Sequence, residues 1–150
     1  MQKLTFSCIF SLLLFCNVSA QNASYLVTSA EVESQSVVKL QIKIFCKEKD
    51  VADKEAQCAA IRAVMFDGFP NTILHKPILA EGEKTMRENH SSYFEQLYSE
   101  RYSDFVLAYR ALSKYKKADK DKSTLYEVRV KVLSLRKDLE KNKVRKQFGL

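Results

Sequence analysis

One stretch, DKEAQCAAIRAVMFDGFP at positions 53–70, constrains this chain more than any other. Ala56, Ala60, Ala63 and Val64 recur at helical spacing and mark a buried face. Most of that face is alanine, so the helix can lie close to whatever it covers. The helix then meets Asp67-Gly68-Phe69-Pro70. Gly68 tolerates positive φ and Pro70 lacks a backbone donor, so the pair forms a stop. This is a strong architectural signal and a weak functional one.

The first twenty residues read as an address. Lys3 supplies the positive end, residues 4–15 an apolar core, and Val18-Ser19-Ala20 the small residues a signal peptidase requires. The apolar run is short for a bilayer core of about 30 Å. A lipoprotein signal with Cys16 acylated is the weaker alternative, because Phe15 stands where a small residue belongs. Cleavage before Gln21 leaves residues 21–150, the length of one domain. The expected location is the periplasm, or outside the cell.

Charge is unevenly placed. The whole chain carries +7, yet residues 113–150 hold thirteen Lys and Arg against five Asp and Glu. Such a basic end points to an anionic partner. Its simpler alternative is a solvated surface that keeps the chain soluble.

Cys8 and Cys16 leave with the signal, so Cys46 and Cys58 remain in an oxidising compartment and a disulfide is a candidate. Geometry favours two buried thiols. Cys58 sits about two turns into its helix, roughly 10 Å along the axis, and Cα atoms more than about 7 Å apart are not bridged.

Periodicity gives the remaining elements. Residues 25–32 form a lead-in strand, followed by a Ser34-Gln35-Ser36 turn. In 37–46, Val38, Leu40, Ile42, Ile44 and Cys46 face one way, and Lys39, Gln41 and Lys43 the other. A helix is expected over 51–66, a loop over 71–82, and one continuous helix over 83–101 with Met86, His90, Tyr93, Phe94 and Leu97 on its apolar stripe. Residues 103–112 read as a strand with both faces partly covered and 124–133 as its hairpin partner, joined by the basic tip KYKKADKDK. Ser134 is the expected N-cap of a last helix that packs through Leu135 and Leu139. The expected class is α+β: an antiparallel sheet of three to four strands, helices mainly on one face, in the order β-α-α-β-β-α.

No catalytic, cofactor or metal motif emerges. His75 falls in a loop and His90 on an apolar stripe. No His-x-x-x-His, close Cys pair or Asp-rich loop has metal spacing. Asp67 precedes a glycine and reads first as a turn residue. Tyr115 among Lys114, Lys116 and Lys117 could stack a base, but an exported protein seldom meets nucleic acid, so none is expected as a partner.

The run CAAIRAVMFDGFP, then KPI, NHSSYFEQLYSERYSDFV and YEVRVKVLSLRKDLEK, resembles a group of uncharacterised small exported proteins of Gram-negative bacteria. The element order is also similar, more distantly, to the amino-terminal domain of flagellar assembly protein T, a periplasmic assembly accessory. The resemblance implies an exported α+β fold and brings no catalytic residues.

Together these readings lead to an expected non-enzymatic binding or assembly-accessory domain of the periplasm or envelope, without cofactor. Its partner would be an envelope protein or an anionic envelope surface. The expected contact residues are Lys114, Tyr115, Lys116, Lys117, Lys120 and Lys122 at the hairpin tip, with Arg136, Lys137 and Lys141 on the last helix, continuing to Lys143, Arg145 and Lys146. A second candidate surface is the loop from Phe69 to Pro77, with Phe69, Ile73 and Leu74. The alternative function is a small envelope enzyme or thiol protein using Cys58 with His90 or Asp67.

Overall fold

The computed structural model describes residues 24–46, 49–70, 72, 74–113 and 123–146. The expected signal segment and the expected hairpin tip at 114–122 lie outside the described residues. The fold is α+β, with a four-stranded antiparallel sheet. Strands β1 (Ser24–Val32), β2 (Val37–Phe45), β3 (Val106–Ala111) and β4 (Ser123–Lys131) stand in the order β1-β2-β4-β3. Helix α1 (Lys49–Phe66) follows β2, then α2 (Glu83–Asn89) and α3 (Ser91–Gln96), and α4 (Val132–Lys141) follows β4. The lead-in strand and the division of the expected 83–101 helix make the order ββαααββα rather than β-α-α-β-β-α.

Alternation sets the sheet. Val38, Leu40, Ile42 and Ile44 on β2 and Tyr126, Val128 and Val130 on β4 are buried on one face, with Leu40 opposite Val128 and Val38 opposite Val130. The other face carries ion pairs: Lys39 to Glu31 at 2.6 Å, Arg129 to Glu33 at 3.0 Å and Arg110 to Glu127 at 3.1 Å. The β1–β2 turn falls at Ser34, whose hydroxyl accepts from the amides of Ser36 and Val37.

Helix α1 lies against β2 and β4. It has more than one buried face: from Ala56 to Val64 every side chain except Arg62 is buried, and Met65 is buried as well. A helix apolar nearly all round is a central element, covered on both sides. Its end matches the expected stop. The Asp67 amide bonds to Ala63, Gly68 takes φ +71, and the Leu79 amide returns to the Met65 carbonyl.

Four sequence expectations are corrected. The helix over 83–101 is broken at His90 (φ −134, ψ 42), which ends α2 and starts α3. It then widens through a π-helical turn at Leu97–Arg101 and tightens through a 3₁₀ turn at Tyr102–Phe105. Strand β3 begins only at Val106 and is an edge strand, exposed rather than covered, with Leu107 57% and Tyr109 45% accessible. Val132 and Leu133 belong to α4: the Val132 amide makes the last bond in the β2–β4 register, to the Ser36 carbonyl at 2.8 Å, and the chain is helical from there. Ser134 consequently sits inside the first turn, and no side chain caps α4.

Candidate functional site at the basic end of the last helix

Helix α4 presents two kinds of surface. Leu135 and Leu139, with Val132, are buried in the core. Asp138 faces inward, accepting from Arg101 Nη2 at 2.7 Å and from the Tyr93 hydroxyl at 2.8 Å. Glu140 accepts from Arg145 Nη1 at 2.6 Å. Lys137 and Lys141 are four apart, share a face and are exposed, as are Lys143 and Lys146 beyond the helix. Both acids of α4 are thus taken up by arginines of this chain, while its lysines point to solvent.

The expected contact residues divide accordingly. Lys137 and Lys141 are accessible; Arg136 is half-buried, with its Nε enclosed and lacking a hydrogen-bond partner. Lys114, Tyr115, Lys116, Lys117, Lys120 and Lys122 fall outside the described residues. In the 69–77 loop, Phe69 and Leu74 are buried, so they are not an exposed apolar contact, and Ile73 lies outside the described residues. That loop is pinned by Thr72, whose hydroxyl donates to the Phe69 carbonyl at 2.8 Å and accepts from the Leu74 amide at 3.0 Å.

Beside the end of α4 runs a groove of about 580 Å³. Ile78, Leu79, Met86 and Val144 form its apolar floor. Lys143, Arg145 and Lys146 bring positive charge to it, and Glu81 one negative charge. The sequence marked the lysines through the charge asymmetry; nothing in its pattern linked them to the 78–86 segment.

A larger cleft of about 1090 Å³ opens where α1, α2 and β1 meet. Glu83 lies 2.9 Å from Arg62 Nε and 3.4 Å from Arg87 Nη1. The Nε–H of Arg62 is not aimed at that oxygen, so the contact is coulombic rather than a hydrogen bond. The guanidiniums of Arg62 and Arg87 stand 5.2 and 5.5 Å from the centre of the Tyr98 ring. Burial pushes the Tyr98 hydroxyl well above the usual phenol range. The cleft lining balances Arg62, Lys84 and Arg87 against Glu83, Glu88 and Glu95, so it favours neither sign of ligand. Sequence reasoning missed this cluster, whose one visible signal was Glu83 and Arg87 four apart.

Cys58 is buried on α1 and its Sγ donates to the Tyr98 carbonyl at 3.7 Å. Burial pushes the thiol up to about 12, far from a reactive thiolate. No disulfide joins Cys58 to Cys46. Asp67 takes the Tyr25 hydroxyl at 3.3 Å, and burial raises its carboxyl above the usual range. No hydrogen bond joins any two of Cys58, His90 and Asp67. Among the described residues no helix is long and apolar enough to cross a membrane, and no group of three or more His, Cys, Asp or Glu is placed to hold a metal. No family model matches the chain, and no curated protein or solved structure matches it.

Proposed function

We propose that this chain is an exported, non-enzymatic binding or assembly-accessory domain of the bacterial periplasm or envelope, docking on an anionic partner through the basic end of α4. One observation carries the reading: Asp138 and Glu140 are neutralised internally by Arg101 and Arg145, whereas Lys137, Lys141, Lys143 and Lys146 are exposed. A helix whose acids are satisfied inside and whose cations face out presents a net positive field to whatever approaches. The lysine-rich tip at 114–122 adds to the same charge in sequence. The apolar floor of the neighbouring groove gives such a contact an unpolar component that a merely solvated surface lacks.

The test is a photo-crosslinker placed at position 141 in living cells. A single envelope component captured there, and lost when the crosslinker moves to the exposed Gln96 on α3, supports the reading. Equal capture from both positions, or a partnerless soluble chain, contradicts it.

A further inference from the structure

Lys143 adopts φ 58, the described non-glycine residue in the left-handed region. It stands just past α4, where Gly or Asn is usual because a β-carbon is crowded there. The Leu139 carbonyl accepts from the amides of both Val144 (2.9 Å) and Arg145 (3.2 Å), and the Lys143 amide bonds to Glu140 at 3.1 Å. This reversal drops Val144 into the core and delivers Lys143, Arg145 and Lys146 to the groove of about 580 Å³. A glycine would close the helix as well, without strain. Lysine at that position does something glycine cannot: it adds a charged side chain to the lining of the groove.

The floor and the charge together define a ligand. Ile78, Leu79, Met86 and Val144 offer a hydrocarbon surface within a volume typical of small-molecule sites. Three cations face two carboxylates, Glu81 in the groove and Glu140 on Arg145, which leaves a positive surplus. A neutral lipid or hydrophobic peptide would leave that charge unanswered, and a free inorganic anion would leave the floor unused. We infer that this groove binds an anionic amphiphile, a carboxylate or phosphate head carried on a single aliphatic chain. The head would lie at Lys143 and Lys146, and the chain over Ile78 and Met86. The inference rests on the anionic-partner reading above and narrows it to one place and one ligand class.

Calorimetric titration of the full exported chain with decanoate, below its micelle concentration, tests this. The comparators are decyltrimethylammonium, with the same chain and the opposite charge, and acetate, the head without the chain. Saturable one-to-one binding of decanoate, at least about tenfold tighter than either comparator, is expected, since tenfold corresponds to a single good contact. Two variants give opposite signs. Lys143→Gly relieves the left-handed position and raises Tm, yet weakens decanoate binding several-fold. Glu81→Gln removes the opposing charge and tightens it. Equal binding of decanoate and decyltrimethylammonium, or unchanged affinity in Lys143→Gly, overturns the inference. If decanoate fails while envelope association stays lysine-dependent, only the groove assignment falls; if both fail, the anionic-partner reading falls with it.

Discussion

Replacing Gly68 with alanine is the sharpest test of how α1 is terminated. Gly68 holds φ +71, and an added β-carbon would stand 2.9 Å from Pro77 N, 3.1 Å from the Lys76 carbonyl carbon and 3.1 Å from Pro77 Cδ. Those neighbours are backbone and a proline ring, so none can swing away. The left-handed conformation costs a non-glycine residue roughly 1–2 kcal/mol, and overpacking a tight contact adds about 1–3 kcal/mol. Gly68→Ala should therefore lose about 3 kcal/mol, a large share of a total that is on the order of 5–15 kcal/mol for domains generally. In a domain of this size that lowers Tm by about 10 °C. Gly82 is the internal control: it sits at φ −64, ψ 153, with nothing within 4 Å of an added β-carbon. Gly82→Ala should stay within about 1 kcal/mol of the parent, the gain from a stiffer unfolded chain being offset by the poorer N-cap of α2. Urea unfolding followed by circular dichroism measures both. If the two variants are equally stable, the close approach of the 74–79 segment to the end of α1 is wrong.

Three further outcomes follow from the packing. Asp138→Ala strips two hydrogen bonds from Arg101 and Tyr93 and should cost about 2–3 kcal/mol, against about 1 kcal/mol for Tyr93→Phe; equal losses would mean that the arginine contact contributes nothing. Stability should fall as pH rises above about 8.5, because burial holds the Cys58 thiol neutral up to about 12 and raises the hydroxyls of Tyr25, Tyr93, Tyr98 and Tyr126, while the unfolded chain ionises earlier. That contribution is full below the unfolded pKa values and is lost above them, so a urea midpoint unchanged between pH 8 and 10.5 would refute it. Native Cys58 should react with a thiol reagent on the order of 100-fold more slowly than the unfolded chain, reporting local opening; rapid labelling at pH 8 would reopen a thiol chemistry.

Legibility in the sequence followed how local each cause was. The alternation of Val38 to Ile44 and of Tyr126 to Val130 identifies both central strands, since a half-buried strand writes its period directly into the chain. The Gly68 stop and the Ser34 turn are equally visible because they need particular backbone chemistry. What stayed hidden depends on distant partners. Val132 and Leu133 continue a β-rich run, yet they are helical because β2 runs out at Val37 and α4 buries Val132, Leu135 and Leu139, a tertiary override of propensity. Nothing around His90 signals a break: no proline or glycine stands there, and the apolar stripe runs straight through it. The edge position of β3 is likewise a property of sheet order, so its alternation reads as covered when it is not. At the candidate site the lysines announce themselves by charge. Which acids are neutralised, and that the 78–86 segment floors the groove, emerges only when Arg101 meets α4 and the 143–146 segment meets α2 in space.

The proposed docking has the exposed lysines at the end of α4 hold this chain to an anionic envelope component. The most direct measurement is the envelope-bound fraction across a salt series, for the parent and for a variant with Lys137, Lys141, Lys143 and Lys146 all replaced by glutamine. Screening shortens from about 10 Å at 0.1 M to about 3 Å at 1 M salt. The parent should therefore be released as salt rises, and the folded variant should be soluble even at low salt. A variant that stays bound like the parent, with the same salt dependence, would rule out docking through these lysines.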